Sequence, residues 1–229
     1  MKLFRGIAVP NDQLEAVIED IKLNGIIDGS KANWQTRQEK HFKNLNTLHL
    51  NPNLSTKDTR PKDGHANAVC ACGEKDGALY YATKHNLYGD NNSPIIIEIN
   101  TDKSLLSIDG KDFLYTAFQY SNPEKARPIL EKCFGSAILK YVNRAWSSNN
   151  QSFRVAQCDL AIQDIEVIEA HHASKTVIAG RAKTIFRNAF TIKLPVLPAS
   201  ILSVCSPNML STIPHPDIYL DNIMPQRNI

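Results

Sequence analysis

Hydrophobic and polar residues alternate with different periods along this chain, and the changes of period predict its elements. Residues 3–7 are apolar except for one arginine and are soon followed by a Val-Pro pair, which predicts a short first strand. Apolar residues then recur with helical spacing from Leu14 to Ile21, with acidic residues between them. This spacing predicts a helix that ends at Asn24-Gly25.

Short apolar runs separated by Gly, Asn and Asp fill the middle of the chain. They predict strands at residues 66–71, 78–83, 94–99 and 105–108, a helix at 123–141, a polar loop at 146–152, strands at 153–162 and 164–168, and a helix at 176–190. The continuous β-branched run at 94–99 predicts a central strand. Because strands and helices do not alternate regularly, the predicted fold class is α+β.

The composition is typical of one globular domain. The chain has 229 residues, of which 42% are hydrophobic and 21% charged, enough to form a single core. We predict one domain over residues 1–194, with a polar insert at about residues 28–65, and a Pro-rich tail at 195–229 that packs on it. Five cysteines, an odd number, favour reduced thiols and a cytoplasmic location. No apolar run approaches the roughly 18 residues of a membrane span, so no membrane partner is expected.

The net charge of +3 is small, but the charge is unevenly distributed. Seven lysines and arginines lie between residues 31 and 62, among them Lys40 and Lys43, and Trp34 and Phe42 are interleaved with them. Basic groups beside aromatic rings are typical of a groove for single-stranded nucleic acid, where phosphates take the charge and bases stack. A solvated surface is the alternative interpretation.

Three short motifs carry the candidate chemistry. Arg5 lies inside the first predicted strand, where a guanidinium needs a partner and where its planar fork of donors suits phosphate or carboxylate. Tyr80-Tyr81-Ala82-Thr83 ends another predicted strand, and Gln157-Cys158-Asp159 lies in a late one. In this order, the three motifs resemble those of the NAD-binding ADP-ribosyltransferases.

This resemblance implies an α+β fold with two small, mostly antiparallel sheets around an NAD cleft, and with flanking helices. It also implies an enzyme that releases nicotinamide from NAD and transfers ADP-ribose to an acceptor. Positive charge develops on the ribose carbon as nicotinamide leaves. Such an enzyme therefore has to hold the phosphates and the nicotinamide ribose, and to place a carboxylate beside that carbon.

The resemblance also implies a role for each motif residue. The cofactor-binding residues are Arg5, Gly6, Tyr80, Tyr81 and Thr83, the catalytic residues are Asp159, Gln157 and Arg5, and the acceptor-binding residues are Trp146, Ser147, Lys40 and Lys43. Asp159 stands where the family has a glutamate, and its shorter side chain would place the carboxylate farther from the ribose. Glu166 is therefore the alternative carboxylate.

Within the family, the chain is most similar to bacterial or phage-associated toxins, which implies a nucleic acid (RNA or DNA) or a protein as acceptor and an antitoxin as partner. Two other functions stay open, namely a nucleic-acid-binding module without a cofactor, and a nuclease or other hydrolase that uses Asp and His. His65, Cys70 and Cys72 could form a zinc cluster, but Cys-x-Cys is tighter than the usual spacing. We therefore expect no metal.

Overall fold

A computed structural model describes residues 1–27, 68–85, 91–109, 111–180, 185–208 and 215–225. Its strands are β1 (Lys2–Pro10), β2 (Ala68–Cys72), β3 (Asn92–Asn100), β4 (Leu106–Ile108), β5 (Ile178–Ala179), β6 (Ile185–Phe186), β7 (Ala189–Lys193), β8 (Ile201–Cys205) and β9 (Ile218–Tyr219). Its α-helices are α1 (Leu14–Asn24), α2 (Lys75–Tyr80), α3 (Lys111–Tyr120), α4 (Pro123–Phe134), α5 (Leu139–Trp146), α6 (Gln151–Ala161) and α7 (Ile165–Ala173). The architecture is mixed, with helices packed on a mainly antiparallel set of strands, in agreement with the predicted α+β class.

The main sheet consists of two halves joined at one place. Its strand order is β4-β7-β2-β1-β3-β8, and every neighbouring pair is antiparallel. β1 pairs with β3 along all nine of its residues. Between β1 and β2, in contrast, the described residues form the single pair Phe4–Cys72. We call the place where β1 and β2 part, beside this pair, the junction.

The two faces of the sheet are covered by different helices. Leu3 and Ile7 of β1 and Ile97 of β3 belong to the large core, which also contains buried residues of α1 and of α3 to α7. Phe4 and Ile96 lie on the opposite face and pack against the buried residues of α2 and the turn that follows it. The helical layer formed by α3 to α7 and the helix α2 therefore lie on opposite sides of the sheet.

Several elements of the first half of the chain are confirmed. Strand β1, helix α1, and strands β2, β3 and β4 occur where the pattern predicts them, within a few residues at their ends. β3 is an interior strand of the sheet, as predicted. The helix predicted at 123–141 is interrupted at Gly135, whose φ of 76° ends α4. α5 continues from there after one 3₁₀ turn.

Other predictions are wrong. Residues 78–83 form the end of α2 and a π-helical turn instead of a strand. Residues 153–162 lie mostly in α6, and residues 165–168 begin α7, because Asn150 and Asp164 cap these helices with side-chain oxygens that accept backbone N–H bonds. The predicted helix at 176–190 contains β5, β6 and the start of β7, and α3 lies where no helix is predicted.

The segment after residue 194 contributes a strand to the main sheet. Its strand β8 is an edge strand of the main sheet and pairs with β3. Val196 also forms a bridge to Ile26, next to the end of α1. Across the described ranges, no helix combines the length and the apolar character that a bilayer span requires.

A buried histidine connects the helical layer to the sheet. The Ala189 N–H donates to Nε2 of His171 at 3.1 Å, so Nδ1 carries the proton and donates to the Cys133 carbonyl at 3.1 Å. The ring stacks on Phe134 with centroids 4.7 Å apart. Burial lowers the pKa of His171 from 6.5 to about 4, so the imidazole is neutral in the folded protein at neutral pH.

This neutral imidazole makes the stability depend on pH. The unfolded chain binds a proton on His171 near pH 6.5 and the folded chain only near pH 4, so the free energy of unfolding falls as the pH decreases between these values. The expected loss is about 3 kcal/mol. Urea denaturation at pH 7 and pH 4.5 measures it. His171→Gln should lower stability at pH 7 but flatten this slope, and equal slopes for the two proteins would contradict the assignment.

Candidate functional site

The Arg5 side chain crosses the junction from β1 to β2. Alternation along β1 starts this side chain on the same face as Leu3 and Ile7. Its guanidinium then reaches β2, where Nη1 donates to the carbonyl oxygen of Cys70 at 2.7 Å. A backbone carbonyl of a strand that loses its neighbour needs another hydrogen-bond donor, and at the junction Arg5 supplies it. The Arg5 cation is thus held at the junction.

Two thiols lie near this cation, and one carboxylate acts on both of them. Cys70 and Cys72 are two residues apart on β2, so both side chains project from the same face of the sheet, the one that α2 covers. Cys72 is paired with Ala189 of β7, whose carbonyl accepts the Asp109 backbone N–H at 2.8 Å. The negative charge of the Asp109 side chain acts on the thiol of Cys70 and on that of Cys72 and raises the pKa of both.

An aromatic side chain completes the group. The Tyr81 hydroxyl donates to the carbonyl of Ile185 at 3.1 Å, and its ring meets the Tyr80 ring edge-on, with centroids 5.4 Å apart. Burial raises the pKa of Tyr81, and the negative charge of Asp109 adds to this effect. We call Arg5, Cys70, Cys72, Tyr81 and Asp109 the junction cluster.

The charges and the burial of the junction cluster determine the protonation states of its side chains. The negative charge of Asp109 raises the pKa of Cys70 well above its usual range, and burial raises that of Cys72 to about 12. Burial lowers the pKa of Arg5, but a guanidinium stays charged at any physiological pH. Both thiols are therefore protonated and are poor nucleophiles. Within the junction cluster, the groups that can act on a substrate are therefore the Arg5 guanidinium and the Asp109 carboxylate.

Gly6 and Thr83 serve the contact between β1 and α2. A Cβ on Gly6 would lie 1.8 Å from the carbonyl oxygen of Ala78, so the missing side chain makes room for the backbone of α2. Thr83 is buried, and its hydroxyl donates to the Leu79 carbonyl at 2.7 Å. These contacts are structural and do not test the cofactor-binding roles predicted for both residues, which stay predictions.

The remaining predicted residues lie in the helical layer. Asp159 is on α6, and its Oδ1 accepts a hydrogen bond from the Tyr115 hydroxyl of α3. Gln157, two residues earlier in α6, is buried, and its Oε1 accepts no hydrogen bond from the residues that the structure describes. Trp146 and Ser147 end α5, where Trp146 Nε1 donates to the Ala117 carbonyl at 3.4 Å and Ser147 Oγ to the Arg144 carbonyl at 2.8 Å.

The predicted site residues belong to elements of the sheet, to α2 with the turn that follows it, and to the helical layer. Arg5 and Tyr81 belong to the junction cluster, whereas α6, which carries Asp159, packs on α3 and α5. The expectation that Asp159 lies on a late strand is wrong, because this segment is the helix α6. Glu166 is exposed in the first turn of α7, in the same helical layer.

Other predicted residues lie outside the described ranges. They are Lys40 and Lys43, with the rest of the basic insert, and His65. No group of three His, Cys, Asp or Glu side chains is arranged to hold a metal ion within the ranges that the structure describes. Comparisons with protein-family models, with curated proteins and with solved structures found no match to this chain.

Asp109 is the residue that the sequence analysis missed. It follows the predicted strand at 105–108 directly and precedes a glycine, and a polar residue at the end of a strand is a common position for a functional side chain. In the sequence, Cys70 and Cys72 are candidate zinc ligands. Their spacing of two residues, which puts both on one face of a strand, was the available signal that they share an environment.

Proposed function

We propose that this chain is an NAD-dependent ADP-ribosyltransferase whose NAD site is the junction cluster. The observations that support the proposal are the Arg5 guanidinium bound to the Cys70 carbonyl at the junction and the Asp109 charge, which acts on both Cys70 and Tyr81. A dinucleotide requires a cation for its phosphates, and cleavage of its nicotinamide bond requires a negative charge beside the ribose. The junction cluster offers both within one small region.

Each group has a separate task in the proposed reaction. Arg5 binds a phosphate of NAD through its fork of donors, and Tyr81 provides an apolar wall for the nicotinamide ring. The bond between the ribose carbon and the nicotinamide nitrogen breaks, and nicotinamide leaves with the electron pair. Asp109 stabilises the positive charge that develops on the ribose. The acceptor then bonds to this carbon and loses a proton to solvent.

The proposal assigns the carboxylate role to Asp109 because its charge acts on Cys70, whose carbonyl binds Arg5, whereas Asp159 accepts a hydrogen bond from Tyr115 within the helical layer. Protonated thiols at Cys70 and Cys72 do not favour a hydrolase with a cysteine nucleophile. The acceptor class, a toxin role, a cognate antitoxin and a cytoplasmic location are further parts of the proposal. They are supported by the family resemblance, the five cysteines and the basic insert that contains Lys40 and Lys43.

Replacing Arg5 should weaken NAD binding far more than it weakens the fold. Arg5→Ala removes a charged donor to phosphate, a contact worth roughly 1.5–3 kcal/mol, so we expect the Kd for NAD to rise about 10- to 100-fold. Isothermal titration calorimetry measures this change. Arg144→Ala, at an exposed position of α5, is the matched control and should bind like the wild type. An unchanged Kd in Arg5→Ala would exclude this arginine from the site.

The activity itself is tested by mass spectrometry. The purified protein is incubated with NAD and separately with RNA, single-stranded DNA and a cell extract, and the products are searched for the mass of added ADP-ribose. The proposal predicts nicotinamide release together with a modified acceptor. Binding of nucleic acid without nicotinamide release, at NAD concentrations up to the millimolar range, would instead favour the nucleic-acid-binding module.

A further inference from the structure

The ends of three helices in the helical layer meet around one arginine. Arg154, near the start of α6, donates from Nη1 to the Gln119 carbonyl of α3 at 2.5 Å. Its Nε donates to the Ser148 carbonyl, just after α5, at 2.7 Å. The Gln119 carbonyl belongs to the last turn of α3, where carbonyls lack partners within the helix. Arg154 therefore holds the ends of α3 and α5 against the start of α6.

Two exposed aromatic rings flank this contact. Phe153 directly precedes Arg154 in α6 and is 40% exposed, and Tyr120 directly follows Gln119 at the end of α3 and is 39% exposed. The hydrogen bond between Arg154 and Gln119 brings the two aromatic positions together. Because neither ring is needed to fill the core, both are accessible to a ligand outside the fold.

A third ring at these helix ends carries a second cation. The Arg127 guanidinium of α4 lies over the Trp146 ring, 5.6 Å from its centroid, and Nη1 donates to Oδ1 of Asn143 at 2.5 Å. Trp146 donates to the Ala117 carbonyl, one turn before the end of α3. Arg127 is thus exposed and at the same time held in place. We call five residues the helix-end surface, namely Tyr120, Arg127, Trp146, Phe153 and Arg154.

The charge around the helix-end surface is mostly positive. Between residues 120 and 154 the chain carries six lysines and arginines but only two acidic residues, Glu124 and Glu131. The net charge of this segment is therefore +4, larger than the +3 of the whole chain. A local excess of positive charge attracts a polyanion and disfavours a basic partner.

Positive charge combined with exposed rings matches the chemistry of a nucleic acid with unpaired bases. Its phosphates bind cations, and its bases stack on aromatic side chains, which a paired and internally stacked duplex does not allow. We infer that the helix-end surface binds a single-stranded nucleic acid, with phosphates at Arg127 and Arg154 and bases on Tyr120 and Phe153. As the surface for the acceptor it rests on the proposed function, whereas the binding itself requires no NAD.

Removing either exposed ring tests the contact with the bases. Fluorescence anisotropy with a labelled single-stranded oligonucleotide of mixed sequence measures the Kd, and thermal melting checks the fold of each variant. We expect Phe153→Ala and Tyr120→Ala each to raise the Kd at least about fivefold, the loss typical of one base–aromatic stack. Leu202→Ala, at a 54% exposed position of β8, is the control and should bind like the wild type.

Two results of this experiment would overturn the inference. The first is an unchanged Kd in both ring variants. The second comes from competition with unlabelled nucleic acid, in which a single strand should displace the labelled oligonucleotide better than a duplex of the same sequence. A duplex that competes equally well would exclude stacking of unpaired bases on the helix-end surface.

Arg127→Gln tests the contact with the phosphates by a different readout. Glutamine keeps a donor for Asn143 and removes the charge. We expect the slope of the logarithm of the association constant against the logarithm of salt concentration to become shallower by about 0.7, the value of one phosphate contact on a single strand. Phe153→Ala should keep the slope of the wild type. An unchanged slope in Arg127→Gln would show that the oligonucleotide binds elsewhere and would overturn the inference.

Incubation of the same protein with NAD alone separates this inference from the proposed function. Nicotinamide release by a wild type that does not bind the oligonucleotide would overturn the inference and leave the transferase in place. Oligonucleotide binding that depends on Phe153 and Arg127, without any nicotinamide release, would support the helix-end surface and refute the transferase.

Discussion

Asp109→Asn is expected to reduce nicotinamide release from NAD by roughly 10²- to 10³-fold, the range typical for removal of one electrostatic stabiliser of a transition state. The substitution keeps the size and shape of the side chain and removes only its negative charge. The Asp109 charge acts on the Cys70 thiol, and the Asp109 backbone N–H donates to the Ala189 carbonyl at 2.8 Å. The fold should therefore persist, and the Kd for NAD should change only a few-fold.

Asp159→Asn is the comparison that distinguishes the two carboxylates. The Tyr115 hydroxyl already donates to Asp159 within the helical layer, so this variant should lose a helix contact and keep most of the nicotinamide release. Stopped assays with separation of nicotinamide and NAD measure both variants under the same conditions. If Asp159→Asn is inactive and Asp109→Asn is active, the catalytic role returns to the residue that the sequence motif indicates.

We expect Gly6→Ala to destabilise the protein strongly, because the added methyl group would overlap the backbone at the β1–α2 contact. The added Cβ would lie 1.8 Å from the oxygen and 2.7 Å from the carbon of the Ala78 carbonyl, and 2.9 Å from the Ala82 nitrogen. These are backbone atoms, so the strain cannot be relieved by rotating a side chain. α2 would have to move away from β1, and we expect a loss of at least about 3 kcal/mol.

Gly77→Ala is the matched control for this prediction. Gly77 lies within α2 and faces β2, where its added Cβ would meet only the side chain of Cys72, at 3.2 Å. Alanine also favours a helix over glycine, so this variant should change the free energy of unfolding by less than about 1 kcal/mol. Urea denaturation compares the two variants. Similar stabilities would show that α2 can shift away from β1 at little cost.

The sequence predicts the first half of the sheet well because those strands have strong local patterns. The run Ile95-Ile96-Ile97 is β-branched and continuous, and β3 is an interior strand. The run at 78–83 is also apolar and aromatic, which favours a strand, yet it is helical. The decisive factor lies far away in the sequence, because Gly6 admits the backbone of α2 against β1. Tertiary packing of this kind cannot be inferred from local propensity.

The late helices show a different limit. Residues 153–158 alternate between apolar and polar well enough to suggest a strand, but the same residues also fit a helical stripe. Two local signals, Asn150 and Asp164, identify helix starts in the structure by accepting backbone N–H bonds. These two caps predict a helix between residues 151 and 163, so Asp159 lies on a helix and not on the strand that the motif Gln157-Cys158-Asp159 implies.

The candidate site was only partly predictable for the same reason. Arg5 and Tyr81 come from the sequence motifs, and the structure brings both into the junction cluster. Asp109 belongs to no motif, because its position beside Cys70 depends on the order of β2, β7 and β4 in the sheet. Sheet order is a long-range property. No spacing within the sequence indicates that Arg5 and Asp109 both act on Cys70.

A crystal structure of Asp109→Asn with bound NAD tests the central claim most directly, because slow turnover in this variant keeps the dinucleotide intact. The account predicts a phosphate of NAD within hydrogen-bond distance of the Arg5 guanidinium, the nicotinamide against Tyr81, and the nicotinamide ribose next to residue 109. NAD bound in the helical layer beside Asp159, or no NAD at the junction at millimolar concentration, would contradict it.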